Sequence, residues 1–304
     1  MDRRLVVVVG ATASGKSSLA LTLAQKLGGE IVNADSRQIY RGMDIGTAKP
    51  SVEERSLVPH HLFDIADADE TYSLVRYQRD ARAALEDIWG RGRFAWLVGG
   101  AGQYVWSLVE NWQVPEVPPQ EELRARLKAE AEDQSHEVLH KRLQQVDPAA
   151  AQVIDARNVR RVIRALEVYE VSGIPISEAQ KKSDPDFDFL ILGVSMPREE
   201  LVTRINRRVE QMFEDGIVLE ARALLRAGVP PRASALSSIG YSESVRYLQR
   251  DIKRNKAIEL TKRATKKLSR RQAQWFRRED TRIRWIEGPE DATEVVRKFL
   301  SPPG

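Results

Sequence analysis

Residues 5–17 read LVVVVGATASGKS. The first five are apolar, mostly β-branched and without polar alternation, which predicts a strand buried on both faces, as in a parallel sheet. A glycine-rich turn follows, and the apolar spacing from Ser17 to Leu27 predicts a helix that ends at Gly28-Gly29. This segment therefore predicts a buried strand, a tight turn and a helix in direct succession.

The turn matches the pattern G-x-x-x-x-G-K-[ST] of the P-loop, in the strand-to-helix context that the motif requires. Its glycines allow backbone N–H groups to turn toward an anion, and the helix N-terminus adds partial positive charge. Lys16 is expected to reach the outer phosphates, and the Ser17 hydroxyl suits Mg²⁺ or a phosphate oxygen. A diphosphate or triphosphate is therefore predicted on Gly10, Ala11, Thr12, Ala13, Ser14, Gly15, Lys16 and Ser17.

Further apolar runs alternate with helical patterns along the chain. Strands are predicted over Glu30–Ala34, Phe94–Val98 and Phe187–Val194, and a helix over Leu74–Trp89. Such alternation is typical of a parallel sheet covered by helices. The predicted fold class is α/β, with a P-loop NTPase-like parallel sheet core flanked by helices.

The middle of the chain differs in composition. Residues 114–119 read VPEVPP, residues 121 to about 173 are charged with helical spacing, and Ser183-Asp184-Pro185 is a second break. We therefore predict an all-helical insertion domain over residues 114–185. Residues 1–113 and 186–304 are expected to form the P-loop core, with a basic helical C-terminal part.

Composition excludes several classes of protein. The 304 residues include no cysteine, so a disulfide scaffold, a thiolate nucleophile and a Cys-ligated metal site are excluded. The longest apolar run near the start is far too short to cross a bilayer. A cytoplasmic enzyme or binding protein without membrane association is therefore expected.

Positive charge is concentrated near the C-terminus. The net charge is only +4, but Lys253–Arg284 carries 13 Lys or Arg against three acidic residues. This asymmetry indicates a polyanionic partner such as nucleic acid, with a solvated helix face as the alternative. Helical spacing places Ala257, Ala264, Leu268 and Trp275 on one apolar stripe, which predicts that Trp275 is buried.

Two strand ends carry candidate site residues. Asp35 follows the second predicted strand, and Gly99-Gly100 follows the strand at 94–98. Ligands bind beyond the carboxyl ends of parallel strands, so both are expected to face the crevice of Lys16. By position, Asp35 could hold Mg²⁺, act as a general base or cap a helix. The strand at 94–98 lacks the Mg²⁺-directing Asp usual in nucleotide kinases, which counts against phosphoryl transfer.

Two other polar pairs have competing interpretations. His60 and His61 are adjacent and point apart, so structural histidines are favoured over a metal site. Arg204 and Arg208 are four residues apart and share a helix face. They could clamp a phosphate, or they could be solvated surface arginines.

Taken together, the motifs resemble the bacterial form of the tRNA dimethylallyltransferase (tRNA isopentenyltransferase) family. The resemblance runs in order over nearly the whole chain, and the stretch at 33–50 is far more specific than a P-loop. The matching stretches are GATASGKS at 10–17, NADSRQIYRGMDIGTAKP at 33–50, PHHLFDI at 59–65, LVGGAGQY at 97–104, RRVIRALEVY at 160–169, RINRRVEQM at 204–212, SIGYSE at 238–243 and RRQAQWFRR at 270–278.

The resemblance implies an enzyme that transfers a dimethylallyl group from dimethylallyl diphosphate to N6 of adenosine 37 in tRNA, without consuming ATP. It implies Asp35 as general base, Lys16, Ser17 and Arg208 as residues that stabilise the leaving diphosphate, and Mg²⁺ as cofactor with Ser17 as its candidate ligand. A monomer is expected. The implied tRNA contacts are Asp35, Ser36, Arg37, Gln38, Ala101, Arg124, Arg160, Arg161, Val162, Ile163 and Arg164.

Two other functions remain open from the residues alone. A P-loop small-molecule or nucleotide kinase shares residues 10–17 but does not explain the basic C-terminal segment. A non-catalytic tRNA-binding protein is supported by Ala101, because the family pattern has a hydroxyl-bearing residue there. Losing that hydroxyl would cost about 0.5–1.5 kcal/mol if water or a neighbour replaces its hydrogen bond.

Overall fold

A computed structural model describes residues 3–301 of the chain. The chain divides into two compact units, one of Met1–Val109 with Pro185–Gly304 and one of Glu110–Asp184. The first unit contains the sheet and the P-loop. In the described part of the second unit all regular structure is helical.

The sheet of the first unit has six strands, all parallel. The strands are β1 (Arg4–Gly10), β2 (Glu30–Asn33), β3 (His60–His61), β4 (Ala95–Gly99), β5 (Asp188–Val194) and β6 (Ile283–Ile286). Their order across the sheet is β3-β2-β4-β1-β5-β6. The strand β1, one of the two central strands, is buried at every position, as its uninterrupted apolar run predicts. This confirms the predicted α/β class.

Fourteen helices accompany these strands within residues 3–301. They are α1 (Lys16–Leu27), α2 (Val52–Leu57), α3 (Leu74–Gly90), α4 (Gly102–Val109), α5 (Glu121–Gln134), α6 (His136–Val146), α7 (Pro148–Val153), α8 (Val159–Ser172), α9 (Ile176–Ala179), α10 (Arg198–Asp215), α11 (Ile217–Arg226), α12 (Tyr241–Leu248), α13 (Arg254–Trp275) and α14 (Pro289–Leu300). Within this range no helix combines the length and apolar character that crossing a membrane requires.

A hydrophobic core lies between one face of the sheet and the helices α1 and α14. Alternate residues of β1 pack there with Leu23, Trp96 and Val296, all of them fully buried. This packing fixes the start of α1 directly beyond the end of β1. The P-loop is therefore held between two elements whose positions the core determines.

Hydrogen bonds join the two ends of the second unit. The Gln113 N–H donates to the Lys181 carbonyl (2.8 Å), and the Ser183 N–H donates to the Glu110 carbonyl (3.2 Å). The breaker-rich stretch at 114–119 therefore lies inside this unit. The division falls at Glu110 and Asp184, beside the predicted limits of 114 and 185.

The buried face of the basic helix α13 shares only Ala257 with the predicted one. Trp275 is 41% exposed, so its predicted place in the core is wrong. Hydropathy misses the true face because small polar residues form it, and the hydroxyls of Thr261 and Thr265 donate to carbonyls four residues earlier (both 2.8 Å). The buried residues are Ala257, Thr261, Thr265, Ser269 and Gln272.

Candidate active site

The P-loop, residues 10–17, joins β1 to α1. Gly15 is the residue before the first helical residue, Lys16. Because the first turn of a helix has no carbonyl partners for its N–H groups, these donors are available to an anion. The Ser14 N–H is instead bonded to the Ala11 carbonyl (3.2 Å), which holds the turn. The loop thus presents a fixed set of donors beyond the end of β1.

Two cationic side chains accompany these donors. Burial lowers the pKa of Lys16 to about 8, although the nearby Asp35 carboxylate raises it, and Arg208 lowers it further. Burial also lowers the pKa of Arg208, again opposed by Asp35. The Arg208 guanidinium donates to the Thr12 hydroxyl (3.1 Å) and the Thr47 carbonyl (3.3 Å). Lys16, Asp35 and Arg208 are therefore one electrostatically coupled cluster.

Asp35 is held by the residue at the end of β2. The buried Asn33 side chain accepts from the Asp35 N–H (2.8 Å) and donates to the carbonyls of Asp35 (3.1 Å) and Leu62 (3.0 Å). Asp35 Oδ1 accepts from the Arg37 N–H (2.9 Å). This is a local turn and not the helix cap considered above, since the next helix begins at Val52.

The ends of β2 and β4 are locked together. The Ala34 N–H donates to the Val98 carbonyl (2.8 Å), and the Ala101 N–H donates to the Ala34 carbonyl (3.1 Å). A Cβ on Gly99 would lie 2.0 Å from the Ala34 oxygen, so only glycine permits this approach. Ala101 is therefore one hydrogen bond from the residue that precedes Asp35.

The predicted tRNA contacts that follow Asp35 line the same loop. Ser36, Arg37 and Gln38 are all half-buried. Arg37 donates to the Ser234 carbonyl (2.8 Å), and Gln38 donates to the carbonyl of Thr47 (3.1 Å). The Thr47 carbonyl thus receives donors from both Gln38 and Arg208, which joins this loop to the cationic cluster.

Two arginines of the second unit that were predicted to contact tRNA form ion pairs inside that unit. Arg124 binds Glu167 through two hydrogen bonds (2.8 and 2.9 Å), and Arg164 binds the same carboxylate (2.6 Å). The Glu167 side chain is fully buried. These two arginines therefore neutralise a buried charge within the helical unit.

The rest of this predicted stretch divides by helix face. Val162 and Ile163 lie in the core of the second unit, where their side chains are buried among those of other helices. Arg160 and Arg161 are exposed, and within residues 3–301 neither has an ion-pair partner. Helical periodicity explains why neighbouring residues of this stretch differ in exposure, because residues two apart on a helix point to different sides.

A cavity of about 650 Å³ adjoins the P-loop. Its lining includes Gly10, Ser14, Met196 and Phe276. The Ser14 hydroxyl is buried and has no hydrogen-bond partner among the described residues. Space and an unused polar atom are thus both present beside the predicted diphosphate site.

The candidate metal ligands fit an ion that is shared with a diphosphate. Among residues 3–301 there is no group of three or more His, Asp or Glu that could hold a metal. His60 and His61 have protein partners, the Val58 carbonyl (2.6 Å) and the Glu30 carboxylate (2.7 Å), as expected of structural histidines. Ser17 is exposed on the first turn of α1. Mg²⁺ characteristically binds few protein groups and retains phosphate and water ligands, so this donor set suits it.

Two residues that organise the site were not predicted individually. Asn33 holds Asp35, and the one sequence signal for it is the preference of Asn for local backbone hydrogen bonds at a strand end. Gln272 lies on α13, and its side chain contacts Thr12 and Gly100. No local pattern singles out Gln272, because its partners are far away in sequence.

Comparison with known proteins agrees with this geometry. The IPP transferase family model matches residues 38–279, and the isopentenyl transferase model matches residues 3–58. The tRNA dimethylallyltransferase of Herpetosiphon aurantiacus is 44% identical over 299 residues, covering 98% of this chain and 95% of that protein. The tRNA dimethylallyltransferase of Chloroflexus aggregans is 48% identical over 292 residues, covering 96% and 99%.

Solved structures give the same assignment. The full-length tRNA isopentenylpyrophosphate transferase of Bacillus halodurans has a TM-score of 0.72 and 36% identity, covering 98% of this chain and 96% of that chain. A eukaryotic dimethylallyltransferase, described as acting on tRNA, has a TM-score of 0.79 and 29% identity, covering 98% and 76%. With a P-loop, a coupled carboxylate and these full-length matches, the chain belongs to the tRNA dimethylallyltransferase (IPP transferase) family.

Proposed function

We propose that this protein transfers a dimethylallyl group from dimethylallyl diphosphate to N6 of adenosine 37 in tRNA. Family membership supports this reaction. The structural observation that carries the proposal is the coupling of Asp35 to Lys16 and Arg208, because it puts a carboxylate beside the cations of an anion-binding loop. A base and a leaving-group site in one crevice are what alkylation of an amine requires.

The donor binds through its diphosphate. The first-turn N–H groups of α1, Lys16 and Arg208 face the position where negative charge increases as the C1–O bond of the donor breaks. Such preorganised donors stabilise the transition state more than the ground state. Ser17 Oγ would hold Mg²⁺ together with diphosphate oxygens, and the bound ion would supply further neutralisation of that charge.

The acceptor is the exocyclic amine of a purine. As N6 bonds to C1 of the prenyl group, the C1–O bond breaks and its electron pair leaves with the diphosphate. Asp35 accepts the proton that N6 loses. The base must leave its stack to reach the crevice, which costs about a few kcal/mol and least in a loop. A dry crevice also protects a carbocation-like prenyl group from hydrolysis.

The tRNA contacts that we propose are narrower than the sequence implied. Arg160 and Arg161 on α8 are free to meet phosphates, and Asp35–Gln38 with Ala101 surround the purine. Arg124 and Arg164 act mainly by maintaining the shape of the helical unit, since both bind Glu167. We also propose that the enzyme acts as a monomer in the cytoplasm, which gel filtration and cell fractionation would test.

The direct test uses labelled dimethylallyl diphosphate and an anticodon stem-loop. We expect label in RNA that carries adenosine at position 37 and none in a matched RNA with guanosine there. ATP added in place of the labelled donor should not be consumed. Label in the guanosine RNA would refute the stated specificity, and stoichiometric ATP hydrolysis would favour the kinase alternative.

A further inference from the structure

The side chain of Gln272 joins the two loops that border the candidate site. Gln272 is 6% exposed and lies on the buried face of α13. Its amide oxygen accepts from the Thr12 N–H (2.7 Å), and its amide nitrogen donates to the Gly100 carbonyl (3.2 Å). Thr12 follows β1 and Gly100 follows β4, so one carboxamide connects the P-loop to the turn that carries Ala101.

The contact at Thr12 continues to the cation that faces the leaving group. While its N–H is bonded to Gln272, its hydroxyl accepts from Arg208 (3.1 Å). The Thr12 N–H is thereby bonded to the protein, and the Thr12 hydroxyl is bonded to the Arg208 guanidinium. Gln272 on α13 thus holds Thr12 of the P-loop in the orientation in which its hydroxyl meets Arg208 on α10.

The turn after β4 leaves space for this amide. A Cβ on Gly100 would lie 2.2 Å from the Gln272 amide nitrogen. Any other residue at position 100 would therefore displace the side chain. Both polar atoms of the amide are satisfied, which is what a fixed rather than a mobile side chain requires when it is buried.

We propose that Gln272 is a positioning residue for the diphosphate of the prenyl donor, acting through Thr12 and Arg208. This inference rests on the function proposed above. Without the amide, the Thr12 N–H has no protein partner and the loop can turn away from the geometry that receives the diphosphate. Small displacements of binding groups reduce both affinity and rate.

The test compares Gln272→Met, which keeps the length and removes both hydrogen bonds, with Gln274→Met as the matched control. Gln274 is exposed on the same helix. We expect Gln272→Met to raise the Kd for inorganic diphosphate and the KM for dimethylallyl diphosphate tenfold or more, with the KM for tRNA changed less than twofold. Gln274→Met should leave the Kd for diphosphate unchanged. Calorimetry measures the Kd, steady-state kinetics gives the two KM values, and thermal melting shows whether each variant is folded.

A purely structural role would give a different pattern. An unchanged Kd for diphosphate in folded Gln272→Met, or an equal rise of both KM values, would overturn the inference. If Gln272→Met does not fold, Gln272→Glu decides, because it keeps the shape but places a carboxylate against the Gly100 carbonyl and should raise the same Kd tenfold or more. Failure of the unchanged protein to bind diphosphate would instead contradict the proposed function.

Discussion

At the scale of single residues, the ionisation of Lys16 controls the anion site. Burial lowers the pKa of Lys16 to about 8 in the free protein. The amine therefore loses its charge as the pH rises through about 8, and a bound diphosphate restores the charge by raising the pKa. We expect diphosphate affinity to fall by up to about tenfold per pH unit above that value.

Calorimetric titration with inorganic diphosphate on both sides of this pH measures the effect. Lys16→Arg is the control, because its guanidinium stays protonated throughout this range while the titration of diphosphate itself is unchanged. The slope of affinity against pH should be smaller in Lys16→Arg. Equal slopes in the two proteins would show that Lys16 is not the titrating group.

The carboxylate of Asp35 is expected to affect chemistry more than binding. Asp35→Asn keeps an oxygen that can accept from the Arg37 N–H but removes the group that takes the N6 proton. General-base catalysis typically contributes about 10²–10⁴-fold, so kcat should fall by that order. The Kd for diphosphate should change little by comparison.

Labelled prenyl transfer under single-turnover conditions measures the rate. Asp69→Asn is the matched control, since Asp69 is exposed and takes no part in the hydrogen bonds that hold Asp35. Full activity in Asp35→Asn would exclude Asp35 as the base.

At the scale of elements, Glu30 links the start of β2 to the end of α3 and to β3. Its buried carboxylate binds Arg91, which follows α3, and His61 on β3. The hydrogen bond from Arg91, with a smaller contribution from His61, lowers the pKa of Glu30 to about 2 against the opposing effect of burial. The stability from this carboxylate is therefore fully present above about pH 4.5 and is lost as the pH falls toward about 2.

Glu30→Gln should lose about 3 kcal/mol at neutral pH and show a weaker decline in stability between these pH values. Urea unfolding at several pH values measures both effects. A decline of the same steepness in the variant would show that other carboxylates cause the acid sensitivity.

The helices of the second unit separate structural from RNA-binding arginines. Arg124→Ala leaves the buried Glu167 with Arg164 as its remaining arginine partner, and should cost about 3 kcal/mol of stability. Arg160→Ala removes an exposed charge and should leave stability almost unchanged while weakening tRNA binding. Unfolding curves and tRNA affinity, measured on both variants, test this contrast. Equal stability losses would contradict it.

At the scale of the whole molecule, the concentrated positive charge predicts a steep salt dependence of tRNA binding. Arg263, Lys267 and Arg271 are exposed and recur every four residues on α13, so they form one cationic stripe. Each phosphate contact that is lost should reduce the slope of log Kd against log salt by about 1. Replacing all three by Ala should therefore reduce the slope by up to about 3 while diphosphate affinity is retained. A slope equal to that of the unchanged protein would remove this stripe from the RNA surface.

The local pattern was sufficient for much of the fold and for the type of site. An uninterrupted β-branched run, a glycine-rich turn and a helical repeat are short-range features, so β1, the P-loop and α1 were predictable from residues 5–27. The same holds for Asp35, because a strand end in a parallel sheet has a known position relative to its neighbours. The four-residue strand β6 and the polar buried face of α13 were not predictable, since hydropathy carries little information on either.

The sequence by itself thus determined a parallel α/β core with an anion-binding loop, because each of these depends on residues adjacent in the chain. Only the tertiary structure decided which charged and polar side chains are already bonded to other groups of the protein. Arg124 and Arg164 are bound to a buried carboxylate, and Gln272 reaches Thr12 across 260 positions. Such pairings arise when packing brings distant segments together, and no local periodicity records them.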